Sequence, residues 1–321
     1  MFKNIKIAIY ALFVFLSLNC FAQSNKNNKY PDKPIELVVL FPVGSSADVV
    51  ARIFADNLSK ELGTQIVVNN KPGAGGAIGY KYIAGKNPDG YSLVWSSNSI
   101  LSTYYSGALN VEYQDFDHIA RATIELPVVA VKADSPWKNL KEMLDYARTH
   151  PEEVRVGNSG VGSFTHYAGA SFFDAQGVKV THIPFAASQV VTSLMGGNIE
   201  AVVQAPGALM PFVNSGSVRV LGVLGSRREP AFPSVPTAAE QGIQFQADMW
   251  RGVSAPKGTP KEISMRIQTA MQKTLASPEF KKQCEKFGCQ ASYADSAQFL
   301  KEIASENYLV GAFMKQTLKN N

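Results

Sequence analysis

The chain has 321 residues, 45% of them hydrophobic and 18% charged, with a formal net charge of +5. That length builds one large or two medium domains with substantial cores. The charge is mild and no basic run is interleaved with aromatic residues, which argues against a nucleic-acid partner.

Residues 1–22, MFKNIKIAIYALFVFLSLNCFA, hold Lys3 and Lys6, an apolar run from Ile7 to Leu18, and Cys20-Phe21-Ala22. This is the pattern of an export signal cleaved after Ala22. The apolar run is short for a membrane span, and Leu18-Asn19 is a poor context for lipid attachment through Cys20. Removal of the leader lowers the formal charge to +3. Residues 23–29 read as a polar, disordered linker, after which the mature chain is expected to be soluble and exported.

Ile35 to Leu40 is a continuous, β-branched-rich run, as expected of a strand buried on both faces. FPVGSSAD then turns the chain into a helix from Ala47 to Leu62, with Val50, Ile53, Phe54, Leu58 and Leu62 at helical spacing and Gly63 to stop it. Asp48, in the first turn, either faces a ligand or stabilises the helix start, with Arg52 as its i,i+4 partner. QIVVNN reads as a strand, AIGYKYIAG as a short helix and YSLVWSS as a third strand, a βαβαβ order that implies a parallel sheet covered by helices. Tyr104 and Tyr105, after the third strand, and Trp250 are either cleft aromatics or core residues.

The same alternation returns beyond residue 125. VRVGN, VKVTHIPF, IEAVVQ and VRVLGVLGS read as strands, with helices at Phe164 to Ala175, SQVVTSLMGG and GALMPFVNSG. Two extended stretches, ATIELPVVAVKADSPW and ADMWRGVSAPKGTP, flank this unit as one chain crossing out and one crossing back. The expected architecture is α/β: two lobes joined by a two-strand hinge, with a ligand cleft between them. The first comprises residues 30–125 plus 249–321, and the second residues 126–248. Of the three cysteines, Cys284 and Cys289 remain after cleavage, either as a local disulfide or as two buried thiols.

Ligands of open α/β sheets bind beyond the carboxyl ends of strands, where loops meet helix N-termini. Four loops rich in Gly, Ala and Ser stand there: FPVGSSAD, NNKPGAGGAIG, GNSGVGSFTH and PFAAS. Their backbone N–H groups suit a carboxylate or phosphate. Catalytic motifs are missing. Ser163 and His166 lie on one helix face, but no G-x-S-x-G turn accompanies them. GAGGAI departs from G-x-G-x-x-G at Ile78, and the four histidines show no metal-ligand spacing.

The segments YPDKPIELVVLFPVGSSADVVAR, LGTQIVVNNKPGAGGAIGYKYIAGKNPDGYSL, VGNSGVGSFTHYAGASFF, THIPFAASQVVTSLMGGNIEAVV, FPSVPTAAEQG and RGVSAPKGTP together resemble the substrate-binding receptors of tripartite tricarboxylate transporters, the Bug family. The likeness spans essentially the whole mature chain. It implies a periplasmic, monomeric, non-enzymatic binding protein without cofactor or metal, delivering a small organic carboxylate to integral membrane transporter subunits. A sensor role at the membrane, or an exported hydrolase using Ser163 and His166, are the alternatives. By position, the resemblance implies that the ligand carboxylate is gripped by Phe41, Pro42, Gly44 and Asp48 of one loop and by Ala74, Gly75, Gly76 and Ala77 of a second. The other lobe would add Ser163, Thr165, His166, Phe185, Ala186 and Gln204. Val43, Ser45 and Ser46 stand where the family has a second proline and a run of glycines, so the Ser45 and Ser46 hydroxyls are expected at the ligand too.

Overall fold

A computed structural model describes residues 30–319; the expected leader and linker lie outside the described residues. β1 (Ile35–Val39) is buried along almost its whole length, and pairs in parallel with β2 (Ile66–Asn70) and β3 (Ser92–Ser97). Helix α1 (Ser46–Leu62) connects β1 to β2, and α2 (Ala77–Ala84) connects β2 to β3. α1 buries Val50, Phe54, Leu58 and Leu62 of the apolar residues its spacing marks and leaves Ile53 half-buried, and its Phe54 ring lies 4.8 Å from that of Trp95. Each such side chain contributes about 1.5–3 kcal/mol by leaving water. Gly63 ends the helix at φ +71, with its N–H bonded to the Ser59 carbonyl, a conformation that glycine adopts without a Cβ penalty.

Past β3 come the short helix α3 (Ser99–Tyr105) and the long strand β4 (Phe116–Glu125). β4 runs into β5 (Val128–Lys132) with only Leu126 and Pro127 between them, and there the chain changes sheets. The second sheet contains β5, β6 (Arg155–Asn158), β7 (Thr181–Pro184), β8 (Ala201–Gln204) and β9 (Val218–Val223), ordered β7-β6-β8-β5-β9. Its helices are α4 (Leu140–Thr149), α5 (Phe164–Ala175), α6 (Val190–Met195) and α7 (Pro206–Asn214). Strand periodicity shows plainly in β5. Val129 and Val131 pack with Leu140 and Phe172 on one face, while Val128 and Ala130 pack with Val190 and Leu209 on the other.

The chain returns through residues 224–248 to β10 (Met249–Pro256), which inserts antiparallel between β3 and β4. Then follow α8 (Lys261–Ala276), α9 (Pro278–Lys286), β11 (Gln290–Asp295) and α10 (Ser296–Lys319), giving the first sheet the order β11-β4-β10-β3-β1-β2. The sheet is therefore mixed rather than parallel, because the returning strand enters from the opposite direction. The two crossings are stapled to each other. Leu224 N–H donates to the Pro127 carbonyl at 2.7 Å, and Ala247 N–H to the Leu224 carbonyl at 2.8 Å. Cys284 and Cys289, both buried, are joined as a disulfide between α9 and β11. No helix among the described residues is long and apolar enough to cross a membrane.

Candidate ligand-binding site

The loop after β1 is built by its own side chains. Ser45 caps α1: its Oγ accepts from the Asp48 N–H and donates to the Pro42 carbonyl at 2.7 Å. Asp48 is 2% exposed, and its carboxylate accepts from Gly44 N–H, Asn70 Nδ2 and the Arg52 guanidinium at 2.9–3.0 Å. Burial alone would raise this carboxyl, yet the bonds from Arg52, Gly44 and Asn70 hold it below its ordinary value. The carboxylate thus ties the loop to the end of β2, and the helix-start reading of Asp48 and Arg52 describes it.

In the second sheet, Ser163 caps α5 by accepting from the His166 N–H at 3.2 Å. His166 Nδ1 accepts from the Gly162 N–H, and burial lowers the ring's pKa. The imidazole is therefore engaged at Gly162, while the other partner of the Ser163 hydroxyl is Thr165 Oγ1 at 3.2 Å. Gln204, at the end of β8, exchanges hydrogen bonds with Ser159 Oγ at 2.8 and 3.2 Å.

The two lobes touch on either side of a cavity between them. On one side, Ser102 Oγ donates to the Gly162 carbonyl at 2.6 Å. There Gly75, at φ +65, lies so close to the facing loop that a Cβ would sit 2.6 Å from the Val161 carbonyl oxygen. On the other side, the loop closed by the disulfide places Gly288 against Pro206 and Gly207 at the start of α7; a Cβ on Gly288 would lie 2.8 Å from Gly207 N.

Three helix N-termini open into this cavity: α1 through Ser45, Ser46 and Ala47, α5 through Ser163, Phe164 and Thr165, and α7 through Ala205 and Ala208. The backbone N–H groups of Ser46, Ala47, Phe164 and Thr165 have no hydrogen-bond partner among the described residues. One charged side chain lines the cavity, Arg251 on β10. It is 4% exposed and forms a buried ion pair with Glu125, at the end of β4, which also accepts from Ser46 Oγ at 2.8 Å.

Of the residues expected at the ligand, the cavity brings together Phe41, Ser45, Ser46, Ser163, Thr165 and Gln204. Pro42, Gly44 and Asp48 stand behind it, their polar groups committed to the loop. Ala74, Gly75, Gly76 and Ala77 do not line it; Gly75 abuts the facing loop at Val161–Ser163. His166, Phe185 and Ala186 also lie outside the lining, because Phe185 packs toward the core beside Val190 and Leu209 and leaves Ala187 at the cavity. Tyr105 and Trp250 belong to the first-lobe core, where Trp250 Nε1 donates to Glu306 at 2.7 Å. Sequence reasoning missed Ser159 and Arg251. The signal for Arg251 was a lone charge in the buried strand MWRGVSAP.

These features define the two-lobed fold of a solute-binding protein. The chain belongs to the tripartite tricarboxylate transporter family receptor group (TctC), whose family pattern it matches over residues 50–317. It is 32% identical to the protein BugT of Bordetella pertussis over 284 residues, covering 85% of this chain and 86% of BugT. A solved structure described as a periplasmic transporter superposes with a TM-score of 0.85 at 31% identity, covering 90% of this chain and 98% of the other. Rpa4515 of R. palustris, solved with adipate, superposes with a TM-score of 0.83 at 26% identity, covering 90% and 97%.

Proposed function

We propose that this protein is an exported, periplasmic receptor that captures a small organic carboxylate between its lobes and delivers it to integral membrane transporter subunits. The observation that carries this reading is the convergence of three helix N-termini, from both lobes, on one cavity with no acidic lining side chain among the described residues. α1 and α5 present unsatisfied N–H groups, and all three helices present the positive end of their dipoles, which favours an anion there. Because donors come from both lobes, a carboxylate stabilises the closed form over the open one by bonding to both at once. The adipate bound to Rpa4515 and the membership of the family support a carboxylate and a transporter partner.

The test is a thermal-shift screen of the mature chain, refolded from denaturant to strip any carried ligand. The panel holds mono-, di- and tricarboxylates, their amides, amino acids and neutral analogues. A ligand at about a thousandfold over its Kd adds about 4 kcal/mol, which raises the melting temperature by several degrees. Hits among acids that vanish in the corresponding fully amidated compounds are expected. Hits confined to neutral or cationic compounds would overturn the reading.

A further inference from the structure

We propose that Arg251 is the side chain that selects the ligand, donating to an acceptor on the molecule other than its gripped carboxylate. We further propose that Glu125 positions it and sets a preference for an uncharged acceptor, such as a hydroxyl or amide, over a second carboxylate. This rests on the carboxylate reading above and extends it to the rest of the ligand.

Nε and Nη2 of Arg251 both bond to the Glu125 carboxylate, and Nη2 also lies 3.8 Å from Met249 Sδ. Nη1 has no protein partner among the described residues, although the side chain is 95% buried and lines the cavity. A guanidinium has five N–H donors in a rigid fork and no acceptor. Two of these, on Nη1, are left for whatever enters the cavity. A ligand that fills the cavity shuts water away from these donors, and leaving them without a partner is costly, so a ligand that supplies an acceptor gains over one that does not.

The second half concerns charge. Glu125 is fully buried and its carboxylate is held from two directions, by Arg251 and by Ser46 Oγ. It cancels the guanidinium charge at short range, so the Arg251 end of the cavity offers donors without a net positive charge. A second ligand carboxylate at Nη1 would sit close to that of Glu125 in a site with little water, where like charges repel strongly. A hydroxyl or amide oxygen accepts the same bond without that penalty. Ser46 therefore links the grip to the pair: its amide lies at the start of α1 on the cavity, and its hydroxyl fixes Glu125.

The experiment is isothermal titration of the refolded mature chain at neutral pH with acids of matched chain length in three forms. One form carries an unsubstituted alkyl tail, one a terminal primary amide or hydroxyl, and one a second carboxylate. The wild type is expected to bind the amide or hydroxyl form about tenfold more tightly than either other form. Arg251→Met should bring the alkyl and amide forms within about threefold of each other. Because that change strands a buried Glu125, the double variant Arg251→Met/Glu125→Leu, which removes both charges, is measured beside it and should show the same loss. Glu125→Gln should shift the ratio of dicarboxylate to amide binding by about tenfold towards the dicarboxylate. A purely structural role of the pair would lower the affinities together and leave that ratio unmoved. The proposal is overturned if the wild type prefers the dicarboxylate, or if the double variant keeps its preference for the amide tail. Either result leaves the carboxylate reading standing, because acids still bind; loss of binding by every acid, with neutral compounds bound, would instead remove that reading.

Discussion

Gly75 shows how one missing Cβ lets two lobes meet. Its φ of +65 already disfavours other residues, and an added Cβ would fall 2.6 Å from the Val161 carbonyl oxygen and 2.8 Å from Ser163 N. Those atoms belong to the other lobe, so Gly75→Val obstructs the closed form and spares the open one. The expected result is at least a hundredfold loss of carboxylate affinity, about 3 kcal/mol, with the unliganded melting temperature lowered by only a few degrees. Gly63→Ala is the control. Its φ is +71 but nothing lies within 4 Å of the added atom, so it carries the backbone strain, about 1 kcal/mol, without the obstruction. Calorimetry on the two variants decides the matter, and unchanged affinity in Gly75→Val would show that closure does not pass through this contact.

At the scale of elements, the local patterns were legible and their long-range arrangement was less so. The β-branched run of β1 and the four-residue spacing in α1 carry their own geometry, and both fold as they read. The antiparallel insertion of β10 was not legible, because a strand's neighbours depend on where the chain returns from the second lobe. Short α3, SILSTYY, has most of its side chains buried and so lacks a polar face to announce it. At the site, the small-residue loops before α1 and α5 lead into helix starts that line the cavity, since capping is local chemistry, whereas the loop at Ala74–Ala77 does not line it and the start of α7 lay in none of these loops. Arg251 meets Glu125 across 126 residues of sequence, which no spacing rule reveals. The disulfide loop makes a testable case of the same point. Cys284–Cys289 closes a short ring that carries Phe287 and Gly288 onto Gly207, at the start of α7. Replacing both cysteines by alanine should cost about 2 kcal/mol of stability from ring closure and speed ligand release about three- to tenfold as that lobe contact loosens. A lowered melting temperature with an unchanged release rate would confine the bond to local stability.

For the whole molecule, buried titratable groups set opposing trends in stability against pH. Burial pushes Glu229 up to about 7, with Glu125 nearby adding to the effect, and burial raises Glu306 to about 7 despite its bonds from Asn98 and Trp250. Burial lowers His118 and His182 to about 4. A carboxyl raised above its unfolded value contributes stability that is fully present below pH 4.5 and is lost as pH rises through about 7. A histidine lowered from 6.5 to about 4 contributes stability present above pH 6.5 and lost as pH falls towards 4. The two sets oppose each other across one window, so the melting temperature of the wild type should vary little through it. Glu229→Gln breaks the balance. Glutamine matches the protonated acid in shape, and the buried Oε2 of Glu229 has no hydrogen-bond partner among the described residues. The variant should match the wild type below pH 4.5 and gain stability above pH 7, by on the order of 3 kcal/mol at most. Its melting temperature should then rise with pH where that of the wild type stays level. Thermal melts of the two proteins across that range provide the check, and an equal offset at every pH would mean that Glu229 titrates alike in the folded and unfolded chains.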